Sequence, residues 1–263
     1  MKIKYKQYSI YFIKISMNLA VVLITRLPTD TWANFLNSID KYDVYIMIDD
    51  NSVNYADTFG LKYPKINFIQ IVNQECSDNG FIGSSTATKL PPVMAWDKAL
   101  YYFSQINSSY DHIWCFEDDV FIFSEATLLR IDEKYEKCHL LTRSHTIKYE
   151  NNMEGWWHWN QVLGQIELPW AYSLICICRM SREMLLCVRE YANKHRRIFF
   201  IEALLNTLAI HNHLDVGTPP QFITVVQGDI PPIEITHDKM FYVYHPYKKI
   251  ENHPDMRNYL LNI

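Results

Sequence analysis

The sequence predicts an α/β protein, a mainly parallel central sheet flanked by helices in a single domain, and three observations carry that expectation. Short unbroken apolar runs rich in β-branched residues recur along the chain, as strands buried on both faces require. Between several of them lie segments whose apolar residues repeat every three or four positions, the period of a helix facing a core. Strand and helix patterns alternate, which favours parallel pairing through helical crossovers.

The elements follow in order. LAVVLITR (residues 19–26) reads as the first strand, VYIMIDDNS (44–52) as the second, ending in acidic and turn-forming residues, and INFIQIV (66–72) as the third. The polar, short-sided stretch from Asn73 to Lys89 reads as a loop. Pro91 and Pro92 then introduce a helix with Val93, Trp96, Leu100 and Phe103 on one face. It feeds a fourth strand in DHIWCFEDDVFIF, residues 111–123. Ser124 is placed as the N-cap of a helix reaching about Lys137, with Leu128, Ile131 and Tyr135 as its stripe. HLLTRSHTI (139–147) predicts a strand, 149–170 an irregular aromatic segment, and AYSLICICR (171–179) one further strand. Ser181 caps a helix running to about Lys194, and FFIEALLNTLAIHN is helical in period. Pro219, Pro220, Pro231 and Pro232 break the tail into short extended pieces.

Composition narrows the function classes. With 263 residues, 49% of them hydrophobic and 21% charged, the chain is globular and sized for one large domain. A net charge of −4 with no long basic run argues against a nucleic-acid partner. The six cysteines lack a zinc-like spacing and read as small buried hydrophobes in a reducing compartment, so a cytoplasmic location is expected. Residues 1–18 form a basic leader whose apolar part is interrupted by Lys14. The expectation is a cytoplasmic protein whose leader could associate with a membrane surface without spanning it, with a membrane anchor as the alternative.

Glu117, Asp118 and Asp119 fall at the carboxyl end of the fourth strand, where a parallel sheet presents its ligand crevice. Adjacent carboxylates repel and are costly to desolvate, so they need a compensating cation. A divalent ion bound to substrate phosphates supplies one, Mg²⁺ taking one or two carboxylates in such sites and Mn²⁺ preferring the same donors. A solvated acidic turn is the plain alternative. Asp49 and Asp50 end the second strand in the same way, so two acidic strand ends can face one crevice.

LAVVLITR, VYIMIDDNS and above all YDHIWCFEDDVFI, in that order, resemble the nucleotide-sugar glycosyltransferases of the GT-A fold. The last is similar to the strand that bears the family's DXD-type metal motif, with Glu117 in place of the first Asp as a departure from the pattern. The resemblance spans about residues 19–123 and loosens afterwards. It implies a GT-A domain over 19–263, with a nucleotide-sugar-binding half at about 19–123 and an acceptor-binding half at about 124–263. By the same resemblance Asp49 or Asp50 contacts the nucleoside, and Glu117 and Asp119, chiefly Asp119, hold Mn²⁺ or Mg²⁺ against the diphosphate. Thr25, Arg26 and Asp118 join them as donor-binding candidates, with Lys89 and Lys248 as phosphate-facing cations; Arg196 and Arg197 are weaker ones.

Glu202, at the start of an apolar helix, is placed like the Glu or Asp base of several inverting GT-A enzymes; a helix-capping acid on a solvated edge is the other reading. His245, between FYVY and Pro246, resembles the late His that many GT-A enzymes place on the metal, and a purely structural His is its alternative. Trp156, Trp157, Trp159 and Trp170 read either as an acceptor platform, since sugar C–H faces stack on aromatic rings, or as a satellite core under a long loop. The expected activity is transfer of a sugar from a nucleotide-diphosphate sugar, UDP by preference, to a hydroxyl of a glycan or other acceptor, by inversion with Glu202 as base. Two other classes compete. A sugar-phosphate nucleotidyltransferase usually has a glycine-rich basic loop after its first strand, and ITRLPTDTW has no glycine. A non-enzymatic carbohydrate-binding module leaves the strand-end acids unexplained.

Overall fold

All seven residues of β1 (Leu19–Thr25) are buried, which a strand achieves only when both faces of its sheet are covered. Because side chains alternate across a strand, Ala20, Val22 and Ile24 enter one core while Leu19, Val21 and Leu23 enter the other. A computed structural model describes residues 17–83, 93–106, 110–228 and 239–262 of the chain. The basic leader up to residue 16, Lys89, Pro91 and Pro92, and the Pro231–Pro232 pair lie outside the described residues.

After β1 come α1 (Asp30–Asn37), β2 (Asp43–Ile48), α2 (Tyr55–Phe59), β3 (Ile66–Gln70), α3 (Asn73–Asp78), α4 (Ala95–Gln105) and β4 (His112–Glu117). Then follow β5 (Phe121–Ile122), α5 (Glu125–Lys134), β6 (Leu140–Leu141), β7 (Thr146–Lys148), β8 (Trp170–Tyr172) and β9 (Ile177–Ser181). The chain ends with α6 (Arg182–His195), α7 (Ile201–His211), β10 (Val216–Gly217), β11 (Val243–Tyr244) and α8 (His253–Leu261). The central sheet has seven strands in the order β10-β6-β9-β4-β1-β2-β3. β1 to β4, β6 and β10 run one way, and β9 alone runs against them between β4 and β6. α4, α6 and α7 cover one face through Leu100, Phe103, Leu185 and Leu204; α1 and α5 cover the other through Trp32, Leu36 and Ile131. The α/β expectation of a mainly parallel sheet flanked by helices therefore holds.

Several elements differ from the sequence reading. The stretch 171–179 is two strands in separate sheets, because the chain leaves β8 to tie Ser173 to the start of α7: the Ser173 amide donates to the Glu202 carbonyl at 2.9 Å. The expected strand 139–147 likewise divides into β6 and β7, with the Ser144 amide donating to Ser173 Oγ at 3.0 Å in the gap. Part of the polar loop after Asn73 is helical, as α3, and buries Cys76. Ser181 caps α6 by accepting from the Met184 amide, whereas Ser124 stands at the N-cap of α5 without a capping bond from its hydroxyl. All six cysteines are free, four of them buried and Cys138 and Cys187 half-buried. Among the described residues no helix is long and apolar enough to cross a membrane.

A buried charge joins the helical layer to the sheet. Arg179 on β9 is fully buried and ion-paired at 2.9 Å with Asp132 on α5. Asp132 also accepts from Trp114 Nε1 at 3.1 Å and from the Tyr42 hydroxyl at 2.5 Å, so its charge is satisfied by three side chains, from β9, β4 and the residue before β2.

Candidate functional site

The strand order reverses between β1 and β4: β2 and β3 extend the sheet on one side of β1, and β4 returns to its other side. In open parallel sheets the crevice at such a reversal, beyond the carboxyl ends of the strands, is where ligands bind. Here it is a cavity of about 510 Å³ lined by Ile24, Thr25, Arg26, Asp49, Ala95, Trp96, Glu117, Asp118 and Asp119. Six residues singled out in the sequence thus meet in one place.

Each acid has a distinct setting. Glu117 accepts from Trp96 Nε1 at 2.8 Å, and burial, only partly offset by that bond, pushes its carboxyl up to about 7. Asp118 is held by the Thr25 hydroxyl at 2.6 Å and its carbonyl accepts from Trp32 Nε1 at 2.8 Å. Thr25 and Asp118 therefore bond to each other and brace the turn after β4. The turn continues into β5, which pairs with β11 in the register Tyr244 to Phe121, and the Tyr247 amide donates to the Asp119 carbonyl at 2.6 Å. This ladder carries His245 to the acids.

His245 Nδ1–H donates to the Val226 carbonyl at 3.0 Å, which turns Nε2 toward Asp119 at 3.2 Å and Glu117 at 3.9 Å. Burial disfavours a charged ring here, but Asp119 and the Val226 carbonyl outweigh it and raise the pKa above its ordinary value. Asp119 Oδ1 is shut off from solvent with no well-aligned hydrogen bond. Two carboxylates and an oriented imidazole with their open atoms converging form a donor set that fits a divalent cation. Cys176, just before β9, adds its thiol to Glu117 and His245 in a group whose ligand atoms lie within 4.8 Å of one another.

Glu202 lies in the first turn of α7. Burial, with the Glu117 charge adding to it, pushes its carboxyl up to about 7. Burial, with the charges of Glu117, Asp119 and Glu202 adding to it, holds the Cys176 thiol in its protonated form. Glu202 is half-buried, within the field of Glu117.

The remaining candidates separate. Asp49 lines the cavity and is ion-paired with Lys98, a buried lysine of α4 that the sequence reading passed over. Asp50 does not line it; its carboxylate accepts from the Tyr55 hydroxyl at 2.7 Å and from Ser52. Arg26 is exposed at the rim, and Lys248 is exposed one residue after Tyr247. Arg196 donates to the Asp78 carbonyl at 3.1 Å, linking the end of α6 to α3. The tryptophans correct the platform reading: Trp159 and Trp170 are 2% exposed and belong to the core, and Trp156 is buried flat against Tyr172 at 4.5 Å. Trp157 alone of the four shows its ring, lying over His158, which in turn stacks on Phe200 two residues before Glu202. Lys98 and Cys176 had no local signature, since their partners Asp49 and Glu117 come from other strands.

No protein-family model and no curated protein matches the chain. Among solved structures it is similar to 4-diphosphocytidyl-2C-methyl-D-erythritol synthase from Anaerococcus prevotii DSM 20548, at 12% identity and a TM-score of 0.45, over 94% of this chain and 97% of that one. It is also similar to galactosyltransferase LgtC in complex with donor and acceptor sugar analogs, at 12% identity and a TM-score of 0.44, over 94% and 97% of the two chains. A third likeness is to mouse xyloside xylosyltransferase 1, at 10% identity and a TM-score of 0.38, over 77% and 84%.

Proposed function

We propose that the chain is a metal-dependent glycosyltransferase of the GT-A kind, moving a sugar from a nucleotide-diphosphate sugar, UDP by preference, to a hydroxyl of a glycan or other acceptor. One observation carries this reading: Glu117, Asp119 and His245 converge at the β1/β4 reversal, and the half-buried Glu202 lies within the field of Glu117. A divalent ion, Mn²⁺ or Mg²⁺, held by those three residues would supply positive charge to the leaving diphosphate. Asp49, paired with Lys98, accepts hydrogen bonds from the nucleoside. Arg26 and Lys248, exposed beside the crevice residues, add cations for the phosphates.

Glu202 is the base. As the acceptor oxygen bonds to the anomeric carbon, the bond from that carbon to the diphosphate oxygen breaks; the nucleoside diphosphate departs with the electron pair and Glu202 takes the hydroxyl proton. A carboxyl near 7 suits this task, because it is half ionised at neutral pH yet basic enough to accept the proton. One base acting opposite the leaving group inverts the configuration. Trp157 offers the exposed ring face for the acceptor sugar.

Incubating the protein with a panel of nucleotide sugars and Mn²⁺ tests the reading. Metal-dependent release of nucleoside diphosphate, lost in Asp119→Asn with the fold intact, is the expected result. Release of pyrophosphate from a nucleoside triphosphate and a sugar phosphate would instead assign nucleotidyl transfer, and no thermal shift with any nucleotide, with or without Mn²⁺, would overturn the reading.

A further inference from the structure

We propose that the Cys176 thiol is a further ligand of the metal site and turns its preference toward a borderline-soft divalent ion of the zinc or cobalt type, away from Mg²⁺. The inference builds on the metal reading of Glu117, Asp119 and His245 above. Phe116 pairs with Ile177 across the β4–β9 ladder, and the Glu117 amide donates to the Cys176 carbonyl at 3.0 Å, so the two side chains start from facing positions. The Cys176 Sγ, a Glu117 carboxylate oxygen and a His245 ring nitrogen lie within 4.8 Å of one another. Ligands held about 2.0–2.3 Å from a tetrahedral ion stand roughly 3.5 Å apart. The separations from His245 Nε2, 3.2 Å to Asp119 and 3.9 Å to Glu117, bracket that value.

A second observation is independent of the cysteine. His245 is only 8% exposed and spends its Nδ1–H on the Val226 carbonyl, so in the neutral ring the Nε2 lone pair is aimed into the cluster. Carboxylates alone suit Mg²⁺, Ca²⁺ and Mn²⁺, whereas imidazole and thiolate favour zinc-like ions. Mg²⁺ demands a near-ideal octahedron of oxygens, which a cluster offering nitrogen and sulfur does not supply. On coordination a sulfur–metal bond replaces the S–H bond and the proton passes to solvent.

Titration with Co²⁺ alone separates this inference from the reading beneath it. Equilibrium dialysis counts the bound ion, and a near-ultraviolet sulfur-to-cobalt charge-transfer band reports a thiolate on it. The wild type is expected to bind Co²⁺ and show the band. Cys176→Ser should still bind Co²⁺ but lose the band, and its Cd²⁺ affinity should fall by at least the roughly tenfold that losing even an outer partner of a metal ligand costs. Bound Co²⁺ without the band in the wild type, or a band that survives in both Cys176→Ser and Cys176→Ala, overturns the thiol ligand and leaves the metal reading in place. No bound Co²⁺ overturns both. Since the wild-type spectrum alone can refute the thiol ligand, a variant that misfolds does not shield it.

Discussion

Lys98 of α4 and Asp49 at the end of β2 form an ion pair whose lysine side chain is 3% exposed and whose aspartate is 32% exposed. The asymmetry sets the consequence of breaking it. Lys98→Met leaves Asp49 with partial access to water, so the loss should fall below the 3–5 kcal/mol of a fully buried pair, at about 1–3 kcal/mol. Adding Asp49→Asn should cost little more, because with the lysine gone the aspartate has no cation left to lose. Urea unfolding of the two single variants and the double variant measures the coupling; strictly additive losses would show that the pair is not an energetic unit.

Arg179→Leu is expected to be harsher. It removes the cation from Asp132, whose carboxylate is 1% exposed, while Trp114 and Tyr42 still hold that charge inside. A loss of about 3–5 kcal/mol follows for an uncompensated buried charge. The denaturant midpoint should drop without a change in slope, and a loss under about 1 kcal/mol would mean that the two neutral donors suffice.

These two pairs show where the sequence was readable and where it was not. β1 and β4 were legible because each is a continuous apolar run buried on both faces of the sheet, β2 and β3 because their apolar residues still alternate into it, and the acids at the ends of β2 and β4 marked the crevice edge. α4 was legible through Trp96, Leu100 and Phe103, yet Lys98 on the same helix was not, since its partner Asp49 comes from another strand. The same reason hid Cys176: only the β4–β9 register sets it opposite Glu117. The strand run 171–179 misled because an apolar stretch shows burial and not the break that Ser173 makes to reach α7. Four tryptophans within fifteen residues could not disclose that three are packed inward, because an aromatic ring serves a core and a sugar platform equally well.

Trp157 and Trp159 should respond oppositely to alanine. Trp159 is 2% exposed within the core, so its truncation should cost about 3–5 kcal/mol. Trp157 is 73% exposed, and its removal should change stability by less than about 0.5 kcal/mol. If its ring carries the acceptor, Trp157→Ala should raise the acceptor KM and leave donor hydrolysis unchanged. An unaltered KM across several acceptor sugars would remove the ring from the site.

Glu202 ties activity and stability to the same proton. If Glu202 is the base proposed above, its carboxyl, pushed to about 7 from an ordinary 4.5, must be ionised to act, so kcat/KM should rise tenfold per pH unit below 7 and level off above it. Glu202→Gln should lower transfer by about 10²–10⁴ and remove that limb, while donor binding persists. Stability moves the other way. Between about 4.5 and 7 the folded protein retains a proton that the unfolded chain has released, so the stability contributed below 4.5 is lost as pH rises through 7. In metal-free buffer, Glu202→Gln should therefore be more stable than the wild type at pH 8, by about 1–3 kcal/mol, and nearly equal to it at pH 4.5. Glu117, raised to about 7 as well, contributes a slope of the same sign, so the pH dependence of the variant should shrink without vanishing. Urea unfolding at the two pH values decides the matter: a variant less stable than the wild type at pH 8 would mean that the Glu202 carboxylate is solvated and unstrained, and would remove the physical basis for its role as the base.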